Sequence, residues 1–521
     1  MTHRNWSYRL RARNSRSDNA RNLPSPQRGE GYAGLASVGE VTRSWVRGLV
    51  TGFWAKIPLQ LPGGTTPSPA LRATLSPRGQ GLVWYVIVFA VAALGAPAAM
   101  AKVVVNVTQG TINPLPIAIT ALQGQDGADP QVGEAIADVV TSDLRNSGAF
   151  RPLDPAAFIQ AAQAAADQPR FADWKVLNAQ ALVTGIVAAE PDGRLRADFR
   201  LWDVFEQTQL AGVSYKFPAQ PQSYRQIAHM IADVIYKQLT GEDGYFNTQV
   251  VYIAESGPFE RRVKRLAIMD QDGANNRILG DQPSSLVLTP RFSPNSPEIT
   301  YMAFMGYQPR VYIRNIETGR QEPLGDFPGM SFSPRFAPDG NHVIFSRALG
   351  ADTNIYEMDT RNRVTTQLTN APGISTAPSF SPDGTKVAFE SDRGGQPQIY
   401  VMDAGGGGSH RISFGQGSYD GPVWSPRGDL IAFTKREGGQ FYIGVMRPDG
   451  TGERVIAQGY HVEGPTWAPN GSVLMYFKQQ WISQTQSRTR LYSIRVTGQN
   501  EHEIPTPTDA SDPAWSPSLT Q

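Results

Sequence analysis

The histidines and acidic residues of this 521-residue chain are the side chains with the most evident chemistry. The six histidines are widely separated in the sequence: His3, His229, His342, His410, His461 and His502. The chain contains no Gly-x-Ser-x-Gly elbow for a nucleophilic serine, no His-Glu-x-x-His zinc motif and no Gly-rich phosphate loop. The sequence therefore predicts neither an enzyme nor a cofactor.

One acidic string resembles the first half of a calcium-binding loop. The string Asp270–Asn275 reads Asp-Gln-Asp-Gly-Ala-Asn. Asn275 stands at the sixth position, where a calcium loop has Gly, and Asp281 stands at the twelfth, where the loop has a bidentate Glu. Asp, Gly and Asn also favour tight turns between strands. We interpret the string as a turn and predict no bound metal.

A second group of residues stands immediately before copies of a repeated motif, which reads Pro, any residue, Phe or Trp, Ser or Ala, Pro. Its most prominent members combine aromatic and charged side chains: Tyr419, Asp420, His461 and Glu463. Large aromatic residues surrounded by polar ones are typical of protein-binding surfaces. We predict that these residues belong to a partner-binding surface. The alternative, in which they lie in ordinary solvent-exposed loops, stays open at this point.

The repeated motif predicts the elements that position these residues. Its copies begin at Pro290, Pro334, Pro378, Pro422, Pro465 and Pro513. Their aromatic residues are 44, 44, 44, 43 and 48 residues apart, and a period of about 40–50 residues is typical of a four-stranded propeller blade. Apolar residues alternate after each copy, which indicates strands. We therefore predict a β-propeller in which each Pro opens an inner strand. The residues before it then form loops at one end of the central channel.

The two ends of the repeat region are incomplete, and they complement each other. The first strands, Val250–Glu255 and Leu266–Asp270, lack a preceding motif, whereas the motif at Pro513 has no strands after it. If the last segment supplies the inner strand of the first blade, the ring has no open sheet edge. The sequence therefore predicts five whole blades and one composite blade.

Residues 102–240 have a different pattern, which predicts a compact α/β domain. The predicted strands are Val103–Val107, Pro116–Thr120, Ala181–Val187, Leu195–Trp202 and Gln209–Phe217. The predicted helices are Gln131–Asn146, Phe158–Ala166 and Tyr224–Leu239. A Gly-rich acidic segment at 240–245 predicts a hinge into the propeller at 246–521. The predicted fold class is thus an α/β N-terminal domain followed by an all-β six-bladed β-propeller.

An apolar segment ahead of this domain predicts export from the cytoplasm. Leu82–Leu94 is an uncharged run, too short to span a bilayer comfortably, and Ala99-Met100-Ala101 has the small-x-small pattern of a cleavage site. We predict a signal peptide at 81–101, cleaved after Ala101, so that the mature protein begins at Lys102. An uncleaved membrane anchor is the alternative.

The leader at 1–80 accounts for the basic character of the whole chain. It carries 12 basic and 3 acidic side chains, which leaves residues 81–521 with 36 basic and 43 acidic ones and a net charge of −7. We interpret the leader as a start site assigned too early; a basic tail for nucleic acid or membrane is the alternative. The acidic remainder gives no support for nucleic-acid binding. The absence of Cys, together with the signal peptide, fits the bacterial periplasm.

Specific motifs in residues 102–521 resemble those of the TolB family, the periplasmic component of the bacterial Tol-Pal system. They are the segment Ser142–Asp154 (SDLRNSGAFRPLD), Leu182–Gly185 (LVTG), Leu239–Phe246 (LTGEDGYF) and the final PAWSP. The repeated SPDG-type motif alone is weaker evidence, because other propeller families share it. The resemblance implies the same two-domain fold.

The resemblance also implies a function and partners. It implies a non-enzymatic periplasmic scaffold that maintains outer-membrane integrity and invagination during cell division, with other envelope proteins as further partners. The propeller mouth would bind the peptidoglycan-associated lipoprotein Pal, and the mature N-terminal strand would bind TolA. By position, Pal would contact Met330, Ser333, Thr376 and Ala377. The TolA-binding strand would comprise Lys102, Val103, Val104, Val105, Asn106 and Val107. The protein would reach membranes only through its partners.

A different class of function also stays open on the sequence alone. Propellers carry hydrolases and carbohydrate-binding sites, and Asp420 and His461 are the residues that such a site would use here. The alternative is therefore an exported propeller hydrolase or a carbohydrate-binding protein.

Overall fold

The computed structural model describes residues 113–258, 261–280, 286–304, 308–483 and 486–519. All of them belong to a single compact unit of the chain. The leader, the predicted signal peptide and the predicted strand at Lys102–Val107 lie outside the described residues. Among the residues that are described, no helix combines the length and the apolar character needed to cross a membrane.

The N-terminal α/β domain is built on a sheet with the strand order β3-β1-β4-β5-β6, with β2 also paired to β4. Its strands are β1 Leu115–Ile119, β2 Gln123–Gln125, β3 Phe150–Pro152, β4 Ala181–Ala189, β5 Arg194–Asp203 and β6 Thr208–Pro218. Its helices are α1 Pro130–Asn146, α2 Ala162–Asp167, α3 Phe171–Val176 and α4 Pro221–Thr240. Pairing is parallel among β1, β2, β3 and β4 and antiparallel from β4 to β6. The predicted strands at 116–120, 181–187, 195–202 and 209–217 are confirmed.

Local signals in the sequence set the two long helices. Asp129 caps α1 by accepting a hydrogen bond from the Gln131 N–H, and Pro130 occupies the first helical turn. Helix α4 ends at Thr240, and the next residue, Gly241, has a φ of +79°, the left-handed conformation that commonly terminates helices. Both predicted long helices are confirmed. The first half of the predicted helix at Phe158–Ala166 is wrong, because that stretch is a loop. The Gln160 side chain holds the loop: its Nε2 donates to the Gln168 carbonyl, and its Oε1 accepts from the Arg170 N–H.

The propeller consists of six four-stranded antiparallel sheets. The first blade contains β10 Val287–Phe292, β11 Glu298–Phe304, β12 Pro309–Asn315 and β13 Gln321–Pro323. The second contains β14 Met330–Phe336, β15 His342–Leu349, β16 Asp352–Asp359 and β17 Thr365–Gln367. The third contains β18 Ser375–Phe380, β19 Lys386–Ser391, β20 Gln398–Asp403 and β21 His410–Arg411. The next two contain β22 Ser418–Trp424, β23 Ile431–Glu437, β24 Gln440–Met446, β25 Arg454–Gly459; and β26 His461–Trp467, β27 Val473–Trp481, β28 Ser487–Arg495, β29 His502–Ile504.

The sixth blade joins the two ends of the propeller sequence. It contains β7 Gln249–Ser256, β8 Val263–Asp270, β9 Arg277–Ile278 and, as its inner strand, β30 Asp509–Trp515. Strand β30 pairs antiparallel with β7, with Trp515 opposite Val250. The predicted composite blade is confirmed, and the pairing leaves no unpaired inner edge where the ring closes.

Each inner strand contains a β-bulge at the repeated motif. In all six blades the pairing register shifts across two residues, the motif Pro and the residue before it. The residue that precedes the motif Pro has a positive φ in every case: Thr289 +49°, Ser333 +49°, Ala377 +49°, Gly421 +55°, Gly464 +68° and Asp512 +47°. The prediction that Pro opens the strand is therefore wrong. Pro sits at the bulge, where the ladder has no need of its missing N–H.

The α/β domain and the propeller share one hydrophobic core. Tyr245 and Phe246, at the end of the segment predicted to be a hinge, are buried there against Tyr236 of α4. The ring of Trp515 lies edge-on to Tyr245, with the ring centroids 5.8 Å apart. The segment that connects the two domains is therefore packed against helix α4 of the α/β domain and against Trp515 of the propeller.

Candidate partner-binding site

The six inner strands begin at one end of the propeller channel, which we call the mouth. The residues before each motif Pro, predicted to be loops, are instead the first residues of the inner strands themselves, as in Met330–Phe336 and Ser418–Trp424. The prediction of loops is wrong because the bulge lets the strand continue through the motif. The α/β domain packs at the opposite end, where Arg495 Nη1 donates to the Ser147 carbonyl at 2.9 Å.

Asp420 and Arg436 form an ion pair at the mouth end of their blade. Arg436 Nε lies 2.7 Å from Asp420 Oδ2, and Arg436 Nη2 donates to Asp420 Oδ1 at 3.2 Å. Two parallel contacts between a guanidinium and a carboxylate fix the orientation of both groups. Asp420 thus presents an oriented charge rather than a mobile one.

His461 is held on both sides of its ring. Its Nδ1 lies 2.9 Å from Gln479 Oε1, and its Nε2 lies 3.1 Å from Glu463 Oε2. The ring also contacts Phe441 and Phe477, with centroids 4.8 Å and 5.3 Å away. The structure therefore brings His461 and Glu463 together as one polar unit within an aromatic setting.

Tyr419 differs from the sequence expectation, because its side chain is fully buried. Its hydroxyl donates to Glu453 Oε1 at 2.7 Å, and the Lys435 ammonium lies 5.2 Å from the ring centroid. Burial and the Glu453 carboxylate raise the pKa of Tyr419 to about 12. The expectation of an exposed aromatic ring at this position is wrong. The Tyr419 ring belongs to the buried core of its blade and lies beneath the Lys435 ammonium.

The four positions taken from the family resemblance lie in two neighbouring inner strands, β14 and β18. Met330 is 38% exposed at the start of β14, and Ser333 occupies the bulge three residues later. Thr376 Oγ1 lies 3.0 Å from Ser346 Oγ, and Ser346 Oγ also accepts a hydrogen bond from the Ala377 N–H at 3.2 Å. Thr376 and Ala377 therefore tie one blade to the next. Among the four, Met330 offers the most exposed side chain.

The sequence reasoning missed four exposed apolar side chains near the mouth, Leu349, Phe414, Trp481 and Ile482. Together with Met330 and Tyr460, we call them the mouth apolar set: Met330, Leu349, Phe414, Tyr460, Trp481 and Ile482. Trp481 and Tyr460 contact each other edge to face, with ring centroids 6.4 Å apart. Trp481-Ile482 stands where strand β27 gives way to a turn, a position at which polar residues are usual. This apolar pair at a turn is the sequence signal that could have identified the exposed apolar surface.

Charged residues line the inner strands below the mouth. Burial lowers the pKa of Arg291, while the nearby Asp512 carboxylate opposes that shift. Burial and the positive charge of Arg291 hold the pKa of Arg335 well below its usual value. Burial raises the pKa of Asp512, although Lys264 and Arg291 act in the opposite direction. The channel therefore contains charges of both signs rather than a single-sign field.

One group of side chains among the described residues has the spacing of metal ligands, and it lies away from the mouth. His229, Asp270 and Asp272 place one ligand atom each within 4.8 Å of one another. The predicted turn at 270–275 is confirmed, since the Gly273 N–H donates to the Asp270 carbonyl at 3.0 Å. His229 comes from helix α4, and nothing in the sequence pattern indicated that it meets this turn.

The fold and the mouth define a class of protein: a six-bladed propeller with an N-terminal α/β domain, which presents apolar and charged side chains around its channel. A family model described as the TolB beta propeller domain matches residues 236–519, and one described as the TolB amino-terminal domain matches residues 103–210. The chain belongs to the TolB family.

Individual relatives agree with this assignment. The chain is 56% identical over 234 residues to the Tol-Pal system protein TolB of Paramagnetospirillum magneticum, which covers 45% of this chain and 52% of that relative. The match thus spans about half of the relative's length. The crystal structure of TolB from Acinetobacter baumannii has a TM-score of 0.69 and 28% identity, and the match covers 80% of this chain and 99% of that one.

Proposed function

We propose that this protein is a non-enzymatic periplasmic scaffold of a Tol-Pal system, which binds Pal at the propeller mouth. The observation that carries the proposal is the mouth apolar set, because exposed aromatic and apolar residues bordered by charges are the composition of protein interfaces. Trp481 and Ile482 are 42% and 61% exposed. Fixed charges such as Asp420 and Glu463 lie at the same end of the channel and would provide specificity.

The environment of His461 and Asp420 supports binding over hydrolysis. A general base must reach a nucleophile or a substrate proton. His461 instead lies between Gln479 and Glu463, and Asp420 is paired with Arg436. Both groups are thus committed to holding the surface in one geometry, as a preformed binding face requires.

The proposed organisation follows the sequence expectations. Residues 1–80 form a leader outside the functional protein, 81–101 form a signal peptide cleaved after Ala101, 102–240 form the α/β domain and 246–521 form the propeller. The segment at Lys102–Val107 would bind TolA as an added β-strand, because its valines have high β-propensity and main-chain pairing provides the affinity. Through these partners the protein would maintain outer-membrane integrity and invagination during division.

A binding experiment with two partners and two variants tests the proposal. The untagged protein, a form lacking residues 102–109 and a Trp481→Ala variant are each titrated with purified Pal and TolA from the same organism. We expect the deletion to abolish TolA binding while Pal still binds, and W481A to weaken Pal binding by about 30-fold while TolA still binds. Absence of Pal binding by the intact protein, or equal effects of both changes on both partners, would contradict the proposal.

The two binding events are also expected to be coupled. If Pal favours a form in which the N-terminal strand is docked on its own chain, saturating Pal must lower the TolA affinity, typically by about 5–150-fold. Titration of TolA into the protein with and without saturating Pal measures this factor. Equal affinities would show that the two partners bind independently.

A further inference from the structure

A buried histidine faces two carboxylates where the α/β domain meets the propeller. His229 lies on α4 and is 3% exposed. Asp270 is the last residue of β8, and Asp272 follows in the turn toward β9. The contact therefore joins a helix of one domain to a strand end of the other, on the side of the propeller opposite the mouth.

A third carboxylate fixes the orientation of the histidine ring. Asp143 of α1 is 1% exposed, and its Oδ2 lies 2.6 Å from His229 Nδ1. Its other oxygen accepts a hydrogen bond from Gln271 Nε2 at 3.0 Å. Because Nδ1 is engaged by Asp143, the remaining ring nitrogen, Nε2, points toward the propeller.

The Nε2 atom of His229 has no hydrogen-bond partner among the described residues, although it is buried. The nearest carboxylate oxygen, Asp270 Oδ2, lies 3.9 Å away, which is too far for a hydrogen bond. A buried polar atom without a partner is costly and calls for an explanation. When two ligand atoms each lie about 2.0–2.2 Å from the same metal ion, they are roughly 3–4 Å from each other. The 3.9 Å between His229 Nε2 and Asp270 Oδ2 therefore leaves room for an ion between the two atoms.

The surroundings match those of metal-bound histidines. Such a histidine almost always donates its other ring N–H to a carboxylate, as His229 can to Asp143. An imidazole with two carboxylates is a mixed nitrogen and oxygen donor set, which suits zinc and similar transition ions. Calcium and magnesium prefer oxygen ligands alone. The donor set therefore differs from that of the calcium loop that the sequence of this turn resembles.

Arg225 occupies the approach to the two carboxylates. It forms an ion pair with Asp272, and its Nε lies 3.5 Å from Asp270 Oδ2. Its side chain is 26% exposed, so it can turn toward solvent when a cation takes its place. Arg225 thus supplies the compensating positive charge when no ion is bound, and it competes with an ion for the same oxygens.

We propose that His229, Asp270 and Asp272 form a binding site for a divalent transition-metal ion, with Zn²⁺ the best fit, that bridges the α/β domain and the propeller. Asp143 orients the histidine and Arg225 competes with the ion. Bound metal would fasten helix α4 to strand β8 and reinforce the contact between the two domains. This role is separate from partner binding at the mouth.

Calorimetric titration of the untagged full chain, stripped of metal with a chelator, tests the site. We expect one Zn²⁺ per chain and no binding of Ca²⁺ at the same position. Co²⁺ should also bind and give visible absorption bands that report nitrogen and oxygen coordination. Absence of a one-to-one Zn²⁺ site, or an equally strong response to Ca²⁺, would overturn the proposal.

Four variants distinguish this site from incidental binding. His229→Asn and Asp272→Asn should each abolish the one-to-one Zn²⁺ event, and Asp143→Asn should weaken it by about 10–100-fold. Arg225→Gln should tighten Zn²⁺ binding, because it removes the competing cation. The matched control is His342→Asn, which removes a histidine paired with Asp339 at 2.6 Å at the start of strand β15 in the propeller.

The outcomes remain decisive if one variant fails to fold. Circular dichroism identifies a variant that has not folded. If H229N does not fold, the test rests on D272N, which changes a turn residue, and on the Co²⁺ absorption spectrum of the unmodified protein. Zn²⁺ binding that persists in D272N, or that H342N removes instead, would assign the ion to another position. Unchanged Zn²⁺ affinity in R225Q would contradict competition at these carboxylates.

Discussion

The indole N–H of Trp515 donates a hydrogen bond to Thr248 Oγ1 at 2.7 Å across 267 residues of chain. Trp515 ends β30, the inner strand of the sixth blade, and Thr248 directly precedes β7, the strand paired with it. Both residues are buried. This one side-chain bond therefore joins the last strand of the propeller to its first and marks the closure of the ring.

Removing the Trp515 side chain should destabilise the whole protein. Trp515→Ala leaves a cavity beside Tyr245, and large-to-small changes of this kind cost about 3–5 kcal/mol. Because Tyr245 belongs to the core shared by both domains, unfolding should remain a single transition at lower urea concentration. Urea unfolding followed by fluorescence and circular dichroism measures this.

A conservative substitution at Trp515 distinguishes the contribution of the hydrogen bond to stability from that of apolar packing. Trp515→Phe keeps most of the apolar contact and loses the hydrogen bond to Thr248, so it should cost about 1–3 kcal/mol, because a buried acceptor loses its donor. Equal losses for W515A and W515F would show that the bond, and not the packing, closes the ring.

Removing Trp481 should weaken Pal binding without affecting stability. An exposed aromatic anchor at the centre of an interface contributes about 2 kcal/mol or more, so Trp481→Ala should raise the dissociation constant by about 30-fold. The control is Val176→Ser in the α/β domain, where Val176 is 78% exposed and far from the mouth. Titration calorimetry and thermal unfolding measure the two effects; a similar loss of affinity in V176S would place the interface elsewhere.

Asp233 should make the stability of the protein depend on pH. It accepts hydrogen bonds from the backbone N–H groups of Phe246 and Asn247 at 2.8 Å and 3.2 Å. Burial outweighs these bonds and raises the pKa of Asp233 from 3.8 to about 7. A raised folded-state pKa means that the carboxyl group contributes stability in full below pH 3.8, and that this contribution is lost as the pH rises through about 7.

The Asp233→Asn variant tests that dependence. The free energy of unfolding of the unmodified protein should fall between pH 4 and pH 7 more steeply than that of D233N, by an amount on the order of a few kcal/mol. Urea unfolding at a series of pH values gives both curves. Parallel curves would show that Asp233 stays ionised throughout this range.

The bulge residue Ala377 should tolerate glycine, unlike an alanine in an ordinary strand position. Its φ of +49° is left-handed, which costs a residue with a Cβ about 1–2 kcal/mol. Glycine removes that strain and loses about 0.5–1 kcal/mol in chain entropy, so Ala377→Gly should be neutral or slightly stabilising.

The matched control for Ala377 is Ala388, which is fully buried in strand β19. Ala388→Gly loses buried surface and chain entropy with no strain to relieve, so it should destabilise the protein by about 1 kcal/mol or more. Urea unfolding compares the two variants. Equal destabilisation would mean that the bulge geometry at Ala377 carries no strain.

The propeller, its six repeats and its composite blade could be predicted from the amino-acid sequence alone. A fixed period with a recurring motif is local information, and the missing pieces at Val250 and Pro513 leave one simple way to close the ring. The helices α1 and α4 were also predictable, because caps, glycine stops and apolar spacing are written in neighbouring residues.

Which side chains near the mouth are exposed and which are buried could not be predicted from the sequence as well as the strands and helices were. Tyr419 stands three residues before its motif Pro and His461 stands four. Because these residues continue the inner strands rather than forming the predicted loops, alternation places the two side chains on opposite faces, and the Tyr419 ring lies buried against Lys435. The positive φ before each motif Pro was equally hidden, because residues before proline usually avoid that region. Only the cross-strand pairing shows that a bulge stands there.

The contact between the two domains was decided entirely by tertiary structure. His229 and Asp270 are distant in sequence, and neither lies in a recognisable ligand motif with the other. They meet because α4 packs at the end of the propeller where β8 finishes, and Asp143 from a second helix turns the ring toward that end. Local patterns specify strands and helices, whereas such a site depends on how three separate elements pack around one shared core.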